Sequence, residues 1–200
     1  YLCRLTEISA DAVEAEILEE REETTELPAK IWLFQGLPKS DKMELIIQKA
    51  VELGAYQIVP VATKRAVVKL DKKKEEAKLK RWNAISESAA KQSKRLIIPE
   101  IAPVMSFDEA LAFVKDFDSR CIPYECASGM DSVRQFVSQT GPGQKIAVFI
   151  GPEGGFEEIE IEKAREAGVV PVSLGKRILR TETAGLALLS VLAFHLEGGL

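Results

Sequence analysis

Two glycine-bearing stretches near the end of the chain carry the residues best suited to chemistry. The first is GPEGGF, Gly151 to Phe156, at the end of the aliphatic run IAVFI. Gly151, Gly154 and Gly155 have no Cβ, so backbone N–H and C=O groups there can approach a ligand closely. Ile150, Pro152 and Glu153 complete this edge, and the helix that follows opens with free N–H groups. No Gly-Lys-Ser/Thr follows, and the glycine spacing is not G-x-G-x-x-G, so neither phosphate fingerprint is present. The stretch reads either as a structural turn or as a ligand loop of another type. The second stretch is LGKRILRTETA, Leu174 to Ala184. Lys176, Arg177 and Arg180 surround Ile178 and Leu179, and Thr181 or Thr183 can cap the helix behind them. Ile178 and Leu179 suit a flat apolar group, such as a base, whose polar edges are read by backbone. The competing reading is that Ile178 and Leu179 only pin the loop to the core.

The elements that must hold these loops follow from periodicity. After Pro28 the chain alternates apolar strands (KIWLFQ, YQIVPV, IIPEI, RCIPYE, KIAVFI, VVPVSL) with helical patterns. Helices are predicted over 40–54, 75–96, 106–115, 130–139, 157–167 and 182–197. Uniformly apolar strands alternating with helices predict an α/β domain, its mostly parallel sheet covered on both faces. Such sheets bind ligands beyond the carboxyl ends of their strands, where both glycine loops fall. Residues 1–27 differ, with loose alternation around the turn signal SAD, and predict two strands of a small antiparallel unit. The chain opens at Tyr1 inside a strand pattern, which implies further strands upstream.

Charge is unevenly spread. The net charge is −4, yet residues 1–26 hold nine acids and two bases, and the remainder is net basic. Lys72, Lys73 and Lys74 precede a helix whose pattern sets Lys80, Lys91, Lys94 and Arg95 opposite its apolar face, where Glu87 is the single acid. That face is either ordinary solvated surface or a surface for a polyanion. The three cysteines, Cys3, Cys121 and Cys126, form neither a disulfide framework nor a metal-ligand spacing, and no His, Cys or paired-carboxylate cluster implies a metal. His195, the one histidine, is read as packing or surface rather than catalysis. No membrane span or signal pattern is present, and the expected setting is a reducing cytoplasm.

The pieces KMELIIQKAVELGAYQIVPV, RWNAISESAAKQSKR, FIGPEGGFEEIE and LGKRILRTETA together resemble the bacterial 16S ribosomal RNA uridine N3-methyltransferase family (RsmE), within the SPOUT class of knotted methyltransferases. The resemblance covers roughly residues 28–200. It implies a SPOUT-type methyltransferase domain whose C-terminal part is a trefoil knot. Residues 1–27 resemble the tail of that family's N-terminal PUA-like RNA-binding barrel, whose earlier strands are absent here. The two glycine loops, through Ile150, Gly151, Pro152, Gly154, Gly155, Leu174, Gly175, Ile178, Leu179 and Thr183, would hold S-adenosylmethionine in a bent form, with Tyr124 and Glu125 as a third wall, and the family works as a homodimer. The substrate implied is 16S ribosomal RNA, free or in the assembled small subunit.

Methylating N3 of uridine requires loss of an imide proton, and negative charge spreads onto the flanking carbonyl oxygens. Arg177 and Arg180 are the candidates to stabilise that charge. Glu153 is the candidate base, or else a cap for the next helix; hydroxide, or substrate bound as its anion, would need no protein base. A non-catalytic RNA-binding module and a nucleotide-metabolising enzyme on a doubly wound sheet are the rival readings.

Overall fold

The computed structural model describes residues 1–20, 24–125 and 129–198. Strands β1 (Leu2–Ile8) and β2 (Val13–Glu19) form an antiparallel hairpin, and the Ser9 hydroxyl bonds Ala12 across the turn. Both strands are exposed along their whole length and join no other sheet. Apolar Leu5, Ile8, Val13 and Ile17 therefore lie open to solvent.

The chain then enters β3 (Lys30–Gly36), buried at every position after Lys30. Helix α1 (Lys42–Glu52) follows, ended by Gly54 at φ +86°, the left-handed value that favours glycine. Next come β4 (Gln57–Ala62) and helix α2 (Lys72–Gln92), then the short β5 (Glu100–Ile101) and β6 (Met105–Ser106). Pro99 and Pro103 withhold ladder donors here, so the expected strand at IIPEI shrinks to two residues. The remaining elements are α3 (Phe107–Phe113), β7 (Ser119–Pro123), α4 (Asp131–Ser138), β8 (Lys145–Ile150), α5 (Glu158–Glu166), β9 (Val170–Val172) and α6 (Thr181–Leu196).

The sheet is parallel throughout, in the order β5-β4-β3-β8-β7-β9, with β6 paired to β4. Its two faces separate by residue parity, as the pleat demands. Ile31, Leu33, Ile146, Val148 and Ile150 face one core with Ile46, Ile47, Trp82, Val133 and Leu188, from α1, α2, α4 and α6. Trp32, Phe34, Ala147 and Phe149 face the other with Phe107, Ala110, Ile161 and Ala164, from α3 and α5. Burying each such large side chain contributes about 1.5–3 kcal/mol. Phe34 and Phe149 stack at 4.6 Å across the central pair β3–β8. Cys121 is wholly buried in β7 between β8 and β9, and burial pushes its thiol well above the usual range. Cys126 lies outside the described residues.

Helix α2 corrects one sequence expectation. Asp71 caps it, accepting the Lys74 N–H, so it starts at Lys72 and ends at Gln92, before Lys94 and Arg95. Lys94 takes φ +58° and turns the chain inward. The Arg95 side chain is only 4% exposed and pairs with Glu26. Its guanidinium also donates to the Val51 and Ala55 carbonyls at the end of α1. Arg95 is therefore a structural group, not part of a basic surface. Leu96, the last residue of the helix predicted over 75–96, is 66% exposed because the helix has already stopped.

Candidate active site

The carboxyl ends of β7, β8 and β9 open into a cavity of about 460 Å³, a volume suited to a drug-sized ligand. Residues 151–155 form one wall. Gly155 donates its N–H to the Pro152 carbonyl at 2.9 Å and takes φ +66°. A Cβ on Gly151 would meet the Gly155 Cα at 3.1 Å, so the loop folds tightly on itself. Residues 173–180 form the facing wall, with Gly175 at φ +107° and its N–H donated to Ser173 Oγ.

Two clasps hold the walls in register. Thr181 Oγ1 donates to the Gly151 carbonyl at 2.6 Å and accepts from Gln35 Nε2 at 2.9 Å. Gln35 is wholly buried at the end of β3 and also donates to the Gly36 carbonyl. The second clasp is Lys42, whose Nζ lies 3.0 Å from Glu153 and 3.2 Å from Glu182. Glu153 also accepts the Lys39 N–H at 3.1 Å. Burial pushes the Glu153 carboxyl up, but its bonds to Lys42 and to backbone amides outweigh this and hold it below the usual range. Lys42 is raised in turn, first by its bond to Glu153.

Every cofactor residue expected from the sequence lines this cavity except Thr183, which is exposed beyond it. Thr181 takes its place. Glu125 and Tyr124 form the third wall, and Glu153, Arg177 and Arg180 are present too. Leu179 packs on the core, whereas Ile178 is 83% exposed at the mouth, so only Leu179 pins the loop. Neither threonine caps α6; Arg180 occupies that position without a side-chain cap. Glu153 does not cap α5 either, since Glu157 and Glu160 form a capping box there. Lys72, Lys73, Lys74, Lys80, Lys91 and Lys94 lie outside the cavity and are exposed, with Lys91 paired to Glu87 and Lys74 to Asp71. His195 lies elsewhere, its Nε2 3.2 Å from the Thr140 carbonyl.

The wall chemistry selects the kind of ligand. The start of α5 is closed by its own acidic capping box, and Glu182 sits in the first turn of α6. These carboxylates repel phosphate, so the two helix starts make no phosphate cradle. What remains is bare peptide edge and aliphatic surface, with Lys176, Arg177 and Arg180 along the facing wall. The peptide edge and aliphatic surface fit an uncharged base and ribose.

The RNA methyltransferase domain family matches residues 25–193. Ribosomal RNA small subunit methyltransferase E of Bacillus subtilis is 42% identical over 198 residues, covering 98% of this chain and 77% of the relative. The chain belongs to this family of RNA methyltransferases. A Neisseria gonorrhoeae ribosomal RNA small subunit methyltransferase E, solved bound to S-adenosyl methionine, superposes with a TM-score of 0.80 at 38% identity, covering 94% of this chain and 75% of that one. A Legionella pneumophila methyltransferase, solved with the cofactor SAM bound, gives 0.82 at 35% identity, covering 95% and 76%. In this RNA methyltransferase, sequence reasoning missed Gln35, Lys42 and the role of Thr181. Two signals were present. Gln35 is the one polar residue inside a buried strand, and Lys42 puts a cation in the first turn of a helix, where the dipole disfavours it.

Proposed function

We propose that this chain transfers a methyl group from S-adenosylmethionine to N3 of a uridine in 16S ribosomal RNA of the small subunit. The observation that carries the reading is the backbone-walled cavity between the two glycine loops, clasped by Thr181 and Lys42. The cavity fits the donor: bare peptide groups of Gly151–Gly155 and Leu174–Leu179 suit adenine and ribose, and Glu125 suits the amino-acid end. Bound there, S-adenosylmethionine supplies an electrophilic methyl carbon.

The chain's own groups act on the acceptor. Arg177 and Arg180 line the cavity and are exposed there, cations available for the charge that spreads over the uracil carbonyl oxygens. Holding base and donor in line supplies much of the acceleration. Glu153 is ionised with its oxygens committed to Lys42 and Lys39, which makes it a brace between loops. The imide proton then passes to hydroxide, or the uridine binds as its anion.

Further features belong to this reading. Helix α6 returns from the edge strand β9 to pack on β8 and α1, which supports a trefoil-knotted C-terminal part. Its sequence is apolar on all sides, and Val191 and Phe194 are exposed beside an apolar hollow lined by Met130 and Val133. A helix apolar all round is normally buried, which supports a homodimer through this face. Residues 1–27 are assigned to the end of a PUA-like RNA-binding domain, and the cytoplasm, where small subunits assemble, is the assigned location. No described helix is long and apolar enough to cross a membrane. Among the described residues no cluster of at least three His, Cys, Asp or Glu could hold a metal ion.

The test is calorimetric titration, followed by methyl transfer to unmodified 16S RNA and small subunits. Saturable binding of S-adenosylmethionine but not of ATP or NAD, with label recovered as N3-methyluridine, is expected. Donor binding without transfer to any RNA would leave a binding module, and label on another atom would overturn the assigned chemistry.

A further inference from the structure

We infer that Arg65 is a substrate-binding residue, holding a phosphate of the RNA beside the mouth of the donor cavity. This rests on the RNA methyltransferase reading above.

Arg65 lies in the connection from β4 to α2, a segment without regular structure that is nonetheless fixed at two points. The Lys64 N–H donates at 2.9 Å to Glu160, a carboxylate only 3% exposed. Arg65 Nη1 donates at 3.0 Å to the Gly154 carbonyl, in the glycine-rich wall of the cavity. The approach is close: a Cβ at 154 would stand 3.1 Å from the Arg65 Cβ, so a larger residue there would need its neighbour to yield by a few tenths of an ångström. So the cation is set against the wall of the cavity by its own backbone, not merely attracted there.

The guanidinium has five N–H donors, and this contact uses one. Arg65 is exposed and pairs with no carboxylate among the described residues. An arginine that served only to brace Gly154 would need none of its remaining donors or its charge. A fixed, unpaired guanidinium with a free fork matches phosphate geometry. Its surroundings continue the pattern. Residues 63–74 hold six bases and one acid, and that acid, Asp71, is already committed to Lys74. The loop on the other side of the cavity carries Lys176, Arg177 and Arg180. The mouth thus lies between two cationic edges, and a strand of RNA can be gripped on both sides of the base it delivers.

The test compares Arg65→Ala and Arg65→Gln with the parent. Gln keeps a donor for the Gly154 carbonyl but removes the charge, so it separates a brace from a phosphate contact. Donor affinity by calorimetry is expected to stay within about twofold in both variants. RNA affinity by filter binding, and KM for RNA, should weaken about tenfold in both, the scale of a charge-assisted hydrogen bond. The slope of log K against log salt should fall by about 0.7 to 0.9, one phosphate contact. Unchanged RNA binding and salt slope would overturn the proposal. So would a parallel loss of donor affinity in Arg65→Ala that Arg65→Gln restores along with RNA binding. If the parent itself bound no S-adenosylmethionine, the donor reading would fail, while the RNA series would still decide the role of Arg65.

Discussion

Glu153 sits among the cavity residues with Lys42 at 3.0 Å and the Lys39 amide at 3.1 Å. A general base needs a free lone pair and a pKa near the working pH. Glu153 is poorly placed for this, because Lys42 and the Lys39 amide bond its oxygens and hold its carboxyl below the ordinary range. A group lowered in this way keeps its pairing above its ordinary value and loses it only as pH falls through the depressed one. Replacing it with glutamine, Glu153→Gln, is therefore expected to leave the pH–rate profile unchanged in shape and to lower kcat less than about tenfold. Loss of the alkaline plateau, or a drop of about 10² to 10⁴ in kcat, would instead make it the base. At this scale the sequence was informative where chemistry needs bare backbone. Gly151, Gly155 and Gly175 announce themselves by type. The pairing of Gln35 with Thr181 was not legible, because their bond joins positions 146 residues apart. Only the folded sheet brings them together.

The junction before β3 is organised by one ion pair. Arg95 and Glu26 meet where α1, α2 and the segment entering the sheet converge, and Glu26 also accepts the Leu96 N–H at 2.9 Å. Burial pushes the Glu26 carboxyl up, but Arg95 and the two amides it accepts leave it below the usual range. Removing one partner of such a pair strands the other charge. Glu26→Ala should cost about 3 kcal/mol in denaturant unfolding at neutral pH. Because the folded pKa is depressed, this contribution is present above the ordinary carboxylate range and is lost as pH falls through the folded value. The stability gap between parent and variant should therefore close in acid; a gap constant with pH would show that the charge is not what matters. Helix periodicity made α2 legible but not its end. Nothing local in KQSKR signals that Lys94 adopts a left-handed turn. Arg95 belongs to the carbonyls of a different helix, which no single-helix projection can display.

Across the whole molecule, alternation of strand and helix gave the layered α/β architecture. The strand order did not follow from it, since β8 inserting between β3 and β7 depends on packing among distant elements. The apolar outer side of α6 belongs to the same scale. For the homodimer proposed through this face, Val191→Glu with Phe194→Glu is expected to halve the mass measured by light scattering, and a parent that is already monomeric would overturn the pairing. The fold should survive, because Leu188, Leu189 and Leu192 on the inner side are untouched. A dimer persisting in that variant would place the contact elsewhere.

Cys121 adds something practical. It is sealed between β8 and β9, the strands from which the two walls of the cavity extend, and its thiol is held protonated. An alkylating reagent can reach it only when those neighbours part. The rate at which that sulfur is labelled is thus a clock for rare openings of the molecule's centre, and a ligand that bridges the walls should slow it.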